Sequence, residues 1–205
     1  MKQSRYARLV GSYSVEALET FPAIRSIVLY GSVSRGVANR DSDVDLLVLM
    51  ESDESVGERI QRLSQIENSG RTRQELDWLD SHEIYTHIST LPLTRDEAAH
   101  LPPILLDVLE DGVPIVDDGT FHDIRSVLRA RLVEAGAKRV FLSPNEWYWD
   151  LAPGLVCTDC EGTRAEAMLQ RGEYASETVC GGFRASSRNV HESFAYALLV
   201  NLCLD

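Results

Sequence analysis

Two aspartates, Asp43 and Asp45, stand two positions apart where the apolar run 44–50 begins, and that run predicts a buried strand. Residues i and i+2 of a strand point to the same face, so the two carboxylates share one face while Val44 points to the other. Carboxylates placed this way repel each other unless a cation lies between them. Mg²⁺ prefers oxygen ligands and usually keeps substrate phosphates in its coordination shell. The pair therefore predicts a metal site that works beside phosphate groups.

A turn suited to phosphate lies about eleven residues earlier in the chain. Gly31 and Ser32 follow the apolar run 27–30, which predicts another buried strand. Glycine lets the backbone approach a ligand closely, and its amide and the serine hydroxyl can donate to phosphate oxygens. Arg35 adds a fixed positive charge that can reach a phosphate or a nearby carboxylate, and Gly36 lets the turn continue. Either feature alone is common, whereas the two together are a far more specific signal.

Residues 31–48 read GSVSRGVANRDSDVDLLV. This segment resembles the signature of the DNA-polymerase-β-like nucleotidyltransferase superfamily, and especially its minimal nucleotidyltransferase branch in prokaryotes. The resemblance is sharp over residues 27–48 and extends more loosely to Pro153, since the stretch 106–149 is similar to the back half of archaeal members.

The resemblance implies a fold, a substrate and a metal. The fold is α/β (α+β), with a small mixed β-sheet flanked by helices, and the reaction uses ATP or another nucleoside triphosphate with Mg²⁺. By position, Gly31 and Ser32 match the phosphate-binding turn, and Asp43 and Asp45 match the two metal-binding carboxylates. These two aspartates are the expected catalytic residues.

The sequence departs from the family pattern at a third carboxylate, which active members supply from a later strand as general base and metal ligand. The predicted third strand, 84–91, has no acid in its middle. Glu83 at its start is the best candidate, because Asp77 and Asp80 precede it on a predicted helix. Without such a base, the acceptor hydroxyl would be activated by metal alone or by a residue such as His87.

Three functions follow as hypotheses from the resemblance. The first is an enzyme that transfers a nucleoside monophosphate, AMP from ATP, to a hydroxyl acceptor on a protein. Members of the minimal branch often act as antitoxins toward a helical HEPN-type toxin, which some of them modify with AMP. The second is a nucleotide-binding antitoxin that neutralises such a toxin by contact alone, which the missing acid favours. The third, a regulatory nucleotide sensor, has less support.

Alternating strands and helices must position these residues. Two capping boxes, Ser55 with Glu58 and Thr94 with Glu97, predict helix starts, because side chain and backbone satisfy each other's amides there. The predicted helices are 3–20, a broken helix from 55 toward 79, a helix from 94 to 112 adjusted at its prolines, and a helix from 120 to 136. The predicted strands are 27–30, 44–50, 84–91, the edge strand 113–116, and a hairpin of 140–142 with 147–151.

Composition and the placement of the cysteines limit the possible function classes and the domain organisation. The chain has 205 residues, 44% of them hydrophobic, and a formal net charge of −12, which argues against a general nucleic-acid binder. No apolar run approaches the roughly 20 residues that span a bilayer, so we expect a cytoplasmic protein with no membrane role. All four cysteines lie in the last quarter of the chain. We therefore expect a nucleotidyltransferase domain over 1–154 and a partly helical C-terminal tail over 155–205, of separate or truncated origin, whose cysteines make a poor zinc site.

Overall fold

A computed structural model of the chain describes residues 2–68, 70–100, 104–143 and 146–151. It divides into two compact units, Met1–Arg129 and Ala130–Asp205. The predicted domain boundary after Gly154, the predicted tail and all four cysteines lie outside the described residues. The first unit contains every residue predicted for the functional site.

The first unit is built on a four-stranded sheet in the order β3-β2-β1-β4. β2 pairs antiparallel with β1 and parallel with β3, and β1 pairs antiparallel with β4 at the other edge. The strands are β1 (Ile24–Tyr30), β2 (Val44–Met50), β3 (Ile88–Leu93) and β4 (Val113–Asp117). The sheet is therefore mixed, as predicted, and the predicted strand 113–116 lies at an edge, where Pro114 does not interrupt a central ladder.

Helices precede, follow and connect the strands. They are α1 (Lys2–Thr20), α2 (Gly31–Ser34), α3 (Val56–Ser64), a 3₁₀ turn (Gln65–Asn68), α4 (Gly70–Asp80), α5 (Arg95–Ala99), α6 (Ile104–Asp111) and α7 (Thr120–Glu134). Both predicted capping boxes are formed, at the starts of α3 and α5. Within the described part of the chain, no helix is long and apolar enough to cross a membrane. The predicted architecture of a small mixed sheet flanked by helices is confirmed.

One face of the sheet forms the main hydrophobic core. Its strand residues, among them Val44 and Leu46, pack in one cluster with buried side chains of α1, α3 and α4 such as Tyr13 and Leu63. Side chains alternate along a strand, so Asp45 and Leu47 lie on the opposite face. The core thus fixes β2 from one side and leaves its two aspartates on the other.

The third strand starts later than predicted. It was expected over 84–91 and forms over Ile88–Leu93. The reason is the end of α4, because the amides of Glu83 and Ile84 bond back to the carbonyls of Asp80 and Leu79, both at 3.0 Å. Glu83 takes a left-handed conformation, with φ of 57°, and so ends the helix instead of starting a strand.

The described part of the second unit contains the end of α7 and a hairpin of β5 (Lys138–Ser143) and β6 (Glu146–Asp150). The hairpin was predicted from its apolar strands and the turn signal between them. Within it, the guanidinium of Arg139 lies 3.9 Å from the ring centre of Trp147, which is buried.

Candidate functional site

Gly31 lies where β1 ends and α2 begins, directly against Asp45. Its φ is +75°, a conformation that side-chain-bearing residues rarely adopt. A Cβ built at Gly31 would lie 2.1 Å from Oδ2 of Asp45, well inside contact distance. Both the backbone angle and the lack of space require glycine here, and together they bring the predicted phosphate turn against a predicted metal-binding carboxylate.

The turn that follows is closed by its own hydrogen bonds. The amides of Arg35 and Gly36 donate to the carbonyls of Gly31 and Val33 at 3.3 and 3.1 Å, and Val37 donates to the carbonyl of Ser32 at 3.1 Å. Gly36 has φ of +74°, which lets the chain leave the short helix α2. Sequence reasoning treated this segment as a loop, and the structure forms a four-residue helix with Ser32 half-buried in it.

Asp43 and Asp45 flank the buried Val44 at the start of β2, as predicted. Asp45 lies opposite Tyr30 of β1 and opposite Ser89 of β3 in the sheet register. The side chain of Asp43 is 34% exposed, so a ligand can reach it. Strand alternation places the two carboxylates on one face, and Asp45 lies against the turn at Gly31.

The neighbouring strand brings His87 and Ser89 beside the two aspartates. Nδ1 of His87 lies 2.8 Å from Oδ1 of Asp43. Among the described residues, no group of three or more histidines, cysteines and acids is placed to hold a metal ion. The groups beside the aspartate pair are therefore an imidazole, one residue before β3 begins, and a hydroxyl on β3. The sequence suggested His87 only as a substitute base.

Two backbone hydrogen bonds and one side-chain hydrogen bond join the segment that carries His87 to the loop that carries Asp43. The amide of Tyr85 donates to the carbonyl of Arg40 at 2.8 Å, and the amide of Val44 donates to the carbonyl of His87 at 3.0 Å. The hydroxyl of Thr86 donates to the carbonyl of Ser42 at 2.8 Å. These three bonds hold the two segments side by side before any ligand is bound.

Arg35 extends from the turn to the end of α6, where its guanidinium lies 3.2 Å from Oδ2 of Asp111. The sequence indicated that Arg35 could reach a phosphate or a carboxylate, and the structure pairs it with a carboxylate. Asp111 was not predicted, because nothing in the sequence shows that a residue 76 positions away ends a helix at this turn.

Glu83, the predicted third acid, lies outside β3 and pairs with Arg40 at 3.0 Å. Both side chains are exposed, at 69% and 59%. Glu83 is not part of a three-ligand group with Asp43 and Asp45 in the described chain.

Negative charge collects around the aspartate pair. Burial raises the pKa of the Tyr30 hydroxyl, and the carboxylate of Asp45 raises it further. Burial also raises the pKa of Tyr6, with added effects from Asp43 and Asp41. The Tyr6 hydroxyl donates to the carbonyl of Asn39 at 3.1 Å and so holds the loop before β2. The aspartate carboxylates thus add to the rise in pKa that burial causes in both tyrosines.

This donor set suits Mg²⁺ carried by a nucleotide. Mg²⁺ is commonly held by one or two protein carboxylates while phosphates and water fill its other positions. Asp43 and Asp45 supply two carboxylates on one face, and the turn at Gly31 lies beside them. The residues present therefore fit a site that shares its cation with substrate phosphates.

Comparison with known proteins gives a family match. Residues 9–98 match the model of the nucleotidyltransferase domain family. No curated protein matches the chain.

Solved structures give weaker likenesses. The chain is similar to a toxin–antitoxin structure with AMP-PNP, at 16% identity over 65% of this chain and 88% of that chain, with a TM-score of 0.40. It is also similar to two mutants of the toxin–antitoxin MntA-HpeT, at 17% and 16% identity. These cover 59% of this chain and 83% and 84% of those chains, with TM-scores of 0.39 and 0.38.

The matched segment begins in α1 and ends in α5, so it includes β1, the turn at Gly31, both aspartates, Glu83 and β3. Of the site residues, Asp111 on α6 lies outside this segment. Residues 9–98 of this chain are a nucleotidyltransferase domain.

Proposed function

We propose that this protein transfers a nucleoside monophosphate, AMP from ATP, to a hydroxyl group of a partner protein, using Mg²⁺. The observation that carries this proposal is the close approach of the glycine turn to Asp45, where a Cβ at Gly31 would lie 2.1 Å from Oδ2 of Asp45. This contact brings a phosphate-binding backbone and a metal-binding carboxylate to one point. The nucleotidyltransferase domain at residues 9–98 gives the reaction class.

Each site residue has a distinct role in this proposal. Gly31 and Ser32 bind the phosphates through a backbone amide and a hydroxyl, and Gly36 shapes the turn. Asp43 and Asp45 hold Mg²⁺, which when bound would neutralise charge on the phosphates.

Arg35 supplies positive charge beside the turn, and Asp111 fixes the direction of its guanidinium. In this proposal the fixed positive charge of the Arg35 guanidinium attracts the negative charge of the bound phosphates.

The reaction exchanges one bond to phosphorus for another. The acceptor oxygen forms a bond to the α-phosphorus, the bond from that phosphorus to the bridging oxygen breaks, and pyrophosphate leaves. The hydroxyl proton passes to a base or to water. Glu83 is the base that the sequence proposes, although its exposed pairing with Arg40 gives that role no support.

The proposed acceptor is a protein, a HEPN-type toxin. This follows from the sequence resemblance to the minimal nucleotidyltransferase branch, in which such toxins are the partners. The net charge of −12 fits a basic protein surface better than a nucleic acid. The proposal places the pair in the cytoplasm, where ATP is available.

A second candidate function is neutralisation by contact, with nucleotide bound and no transfer. It is favoured by one observation: β3 contains no acid, and the side chains placed beside the aspartates are Ser89 on β3 and His87 just before it. A site with two carboxylates can bind a nucleotide with its cation and still lack a group that removes the acceptor proton.

One experiment separates the two functions. The full chain is incubated with Mg²⁺, the protein encoded beside it, and ATP labelled at either the α- or the γ-phosphate. Label on the partner from α-ATP and none from γ-ATP supports nucleotidyl transfer. A stable complex without label supports neutralisation by contact. Neither label nor complex would overturn both candidates, and the Asp43→Asn, Asp45→Asn variant serves as the inactive control.

A further inference from the structure

We propose that His87 is a positioning residue that orients Asp43 for cation binding, an inference that rests on the proposed nucleotide site. Nδ1 of His87 and Oδ1 of Asp43 are 2.8 Å apart. A carboxylate oxygen can only accept, so this distance requires a hydrogen on Nδ1, because two lone pairs would repel. The contact engages one oxygen of Asp43 and so fixes the direction of the carboxylate.

The register of β2 with β3 places His87 beside Asp43. β2 and β3 are parallel, with Val44 opposite Ile88 and Asp45 opposite Ser89. His87 therefore stands beside Asp43 by register, one position before the paired strands begin. Its side chain points to the same face as that of Ser89, because the two residues are two positions apart in extended chain.

The backbone on both sides of His87 is anchored. Toward β2, its carbonyl accepts the amide of Val44 at 3.0 Å, and Tyr85 bonds to the loop at Arg40. On the outer edge, the amide of Ile88 donates to Oε2 of Glu67 at 3.2 Å. A histidine held from both edges can set the angle of its neighbour, whereas two mobile side chains could not.

The contact contributes to orientation much more than to stability. The side chains of His87 and Asp43 are 55% and 34% exposed, so water competes for both groups. Removing the imidazole should leave the fold in place while it frees the Asp43 carboxylate to rotate. The effect should therefore appear in the cation dependence of nucleotide binding.

Two amide substitutions separate position from polarity. The side-chain nitrogen of asparagine lies at about the distance from Cβ that Nδ1 of histidine does, so His87→Asn keeps a donor beside Asp43. Glutamine places its nitrogen one bond further out, near where Nε2 would be, so His87→Gln keeps polarity and loses the position. His87→Ala removes both.

The experiment measures ATP binding to the full chain by calorimetry over a series of Mg²⁺ concentrations, with a thermal melt of each variant. For His87→Ala and His87→Gln, the Mg²⁺ concentration at half-maximal ATP binding should rise about 10–100-fold, the scale for loss of an outer partner of a metal ligand. His87→Asn should stay within about threefold of the parent. Melting temperatures should change by no more than about 2–4 °C.

Tyr85→Ala is the matched control, since Tyr85 is exposed on the same segment and bonds Arg40 through a backbone amide that alanine retains. If His87→Ala or His87→Gln requires no more Mg²⁺ than the parent, the inference is overturned. If His87→Ala fails to fold, the comparison of asparagine with glutamine decides alone. If the parent chain shows no Mg²⁺-dependent ATP binding, the proposed function fails first, and this inference fails with it.

Discussion

The two ends of the sheet use acidic residues in opposite ways. At the site end, where β1 ends at Tyr30 and β2 begins at Val44, Asp43 contacts an imidazole and Asp45 lies against Gly31. At the far end, where β2 ends at Met50 and β3 ends at Leu93, acids serve as helix caps. There, Glu97 accepts the amide of Thr94 at 2.7 Å and the guanidinium of Arg59 at 2.6 Å.

Asp117 also accepts backbone amides at the start of a helix, α7, at the far end of the sheet. Its Oδ1 accepts the hydroxyl of Ser26 at 2.7 Å and the amides of Gly119 and Phe121 at 3.1 and 3.0 Å. Burial alone would raise the pKa of Asp117, but these hydrogen bonds and one from the amide of His122 hold the pKa below its ordinary value. The ionised form of Asp117 is therefore part of the folded state.

The contacts of an acid therefore indicate whether it serves ligand binding or stability in this domain. Acids whose oxygens accept backbone amides stabilise the fold, and their loss should lower the free energy of unfolding. Acids that share a face without such caps repel each other, and their loss should remove ligand binding at little structural cost. Four variants test this contrast.

The largest expected effect is at the far end, in Glu97→Ala. The Arg59 side chain is fully buried and forms an ion pair with Glu97, so the substitution removes the carboxylate that compensates a buried charge. We expect the free energy of unfolding to fall by about 3 kcal/mol. Urea denaturation measures it. Adding Arg59→Met should recover most of the loss, because the buried charge is then gone, and a double variant as unstable as the single one would contradict this account.

The second effect is at the site end, in the Asp43→Asn, Asp45→Asn double variant. Loss of both carboxylates should weaken Mg²⁺-dependent ATP binding by more than about 100-fold, measured by calorimetry. The melting temperature should hold or rise, because two neighbouring charges no longer repel.

The control for that variant is Asp53→Asn with Asp80→Asn, which removes two exposed acids elsewhere. This control should bind ATP as the parent does. Unchanged Mg²⁺-dependent ATP binding in the Asp43→Asn, Asp45→Asn variant would contradict the assignment of these residues as the metal site.

Local sequence patterns predicted much of this architecture. They did not predict contacts between residues that are far apart in the chain. The capping boxes at Ser55 and Thr94 depend on residues three positions apart, and the alternation around Val44 depends on neighbours, so both could be predicted. The pairing of His87 with Asp43 joins residues 44 positions apart and depends on the register of β2 with β3. The pairing of Arg35 with Asp111 depends on where α6 ends. Neither strand register nor the packing of distant elements can be predicted from the spacing of neighbouring residues.

The third effect is smaller and depends on pH, in Asp117→Asn. The amide keeps the shape of the cap and removes its charge, so we expect a loss of about 1 kcal/mol at pH 7, the difference between charged and neutral hydrogen bonds. Since the folded pKa lies below the unfolded one, the ionised form stabilises the fold above the unfolded value of about 3.9. That contribution disappears as the pH falls through the folded pKa.

Unfolding experiments at a series of pH values measure this difference. Below the folded pKa, Asp117 is itself protonated and neutral, so parent and variant should become equally stable. A gap that persisted or widened in acid would show that the charge of Asp117 is not what stabilises the cap.

The smallest effect is at Glu83, which the sequence proposed as the third acid. Glu83 ends α4 in a left-handed conformation that costs most residues about 1 kcal/mol, and asparagine tolerates that conformation better. Glu83→Asn also removes the exposed pair with Arg40, which contributes little. We therefore expect the free energy of unfolding to rise by about 0.5 kcal/mol.

Nucleotidyl transfer to the partner protein by the Glu83→Asn variant should stay within about twofold of the parent, since an exposed carboxylate paired at the surface is not placed beside Asp43 and Asp45. Loss of transfer by more than about tenfold in a stable Glu83→Asn protein would restore Glu83 as the general base, because a general base typically contributes at least that much.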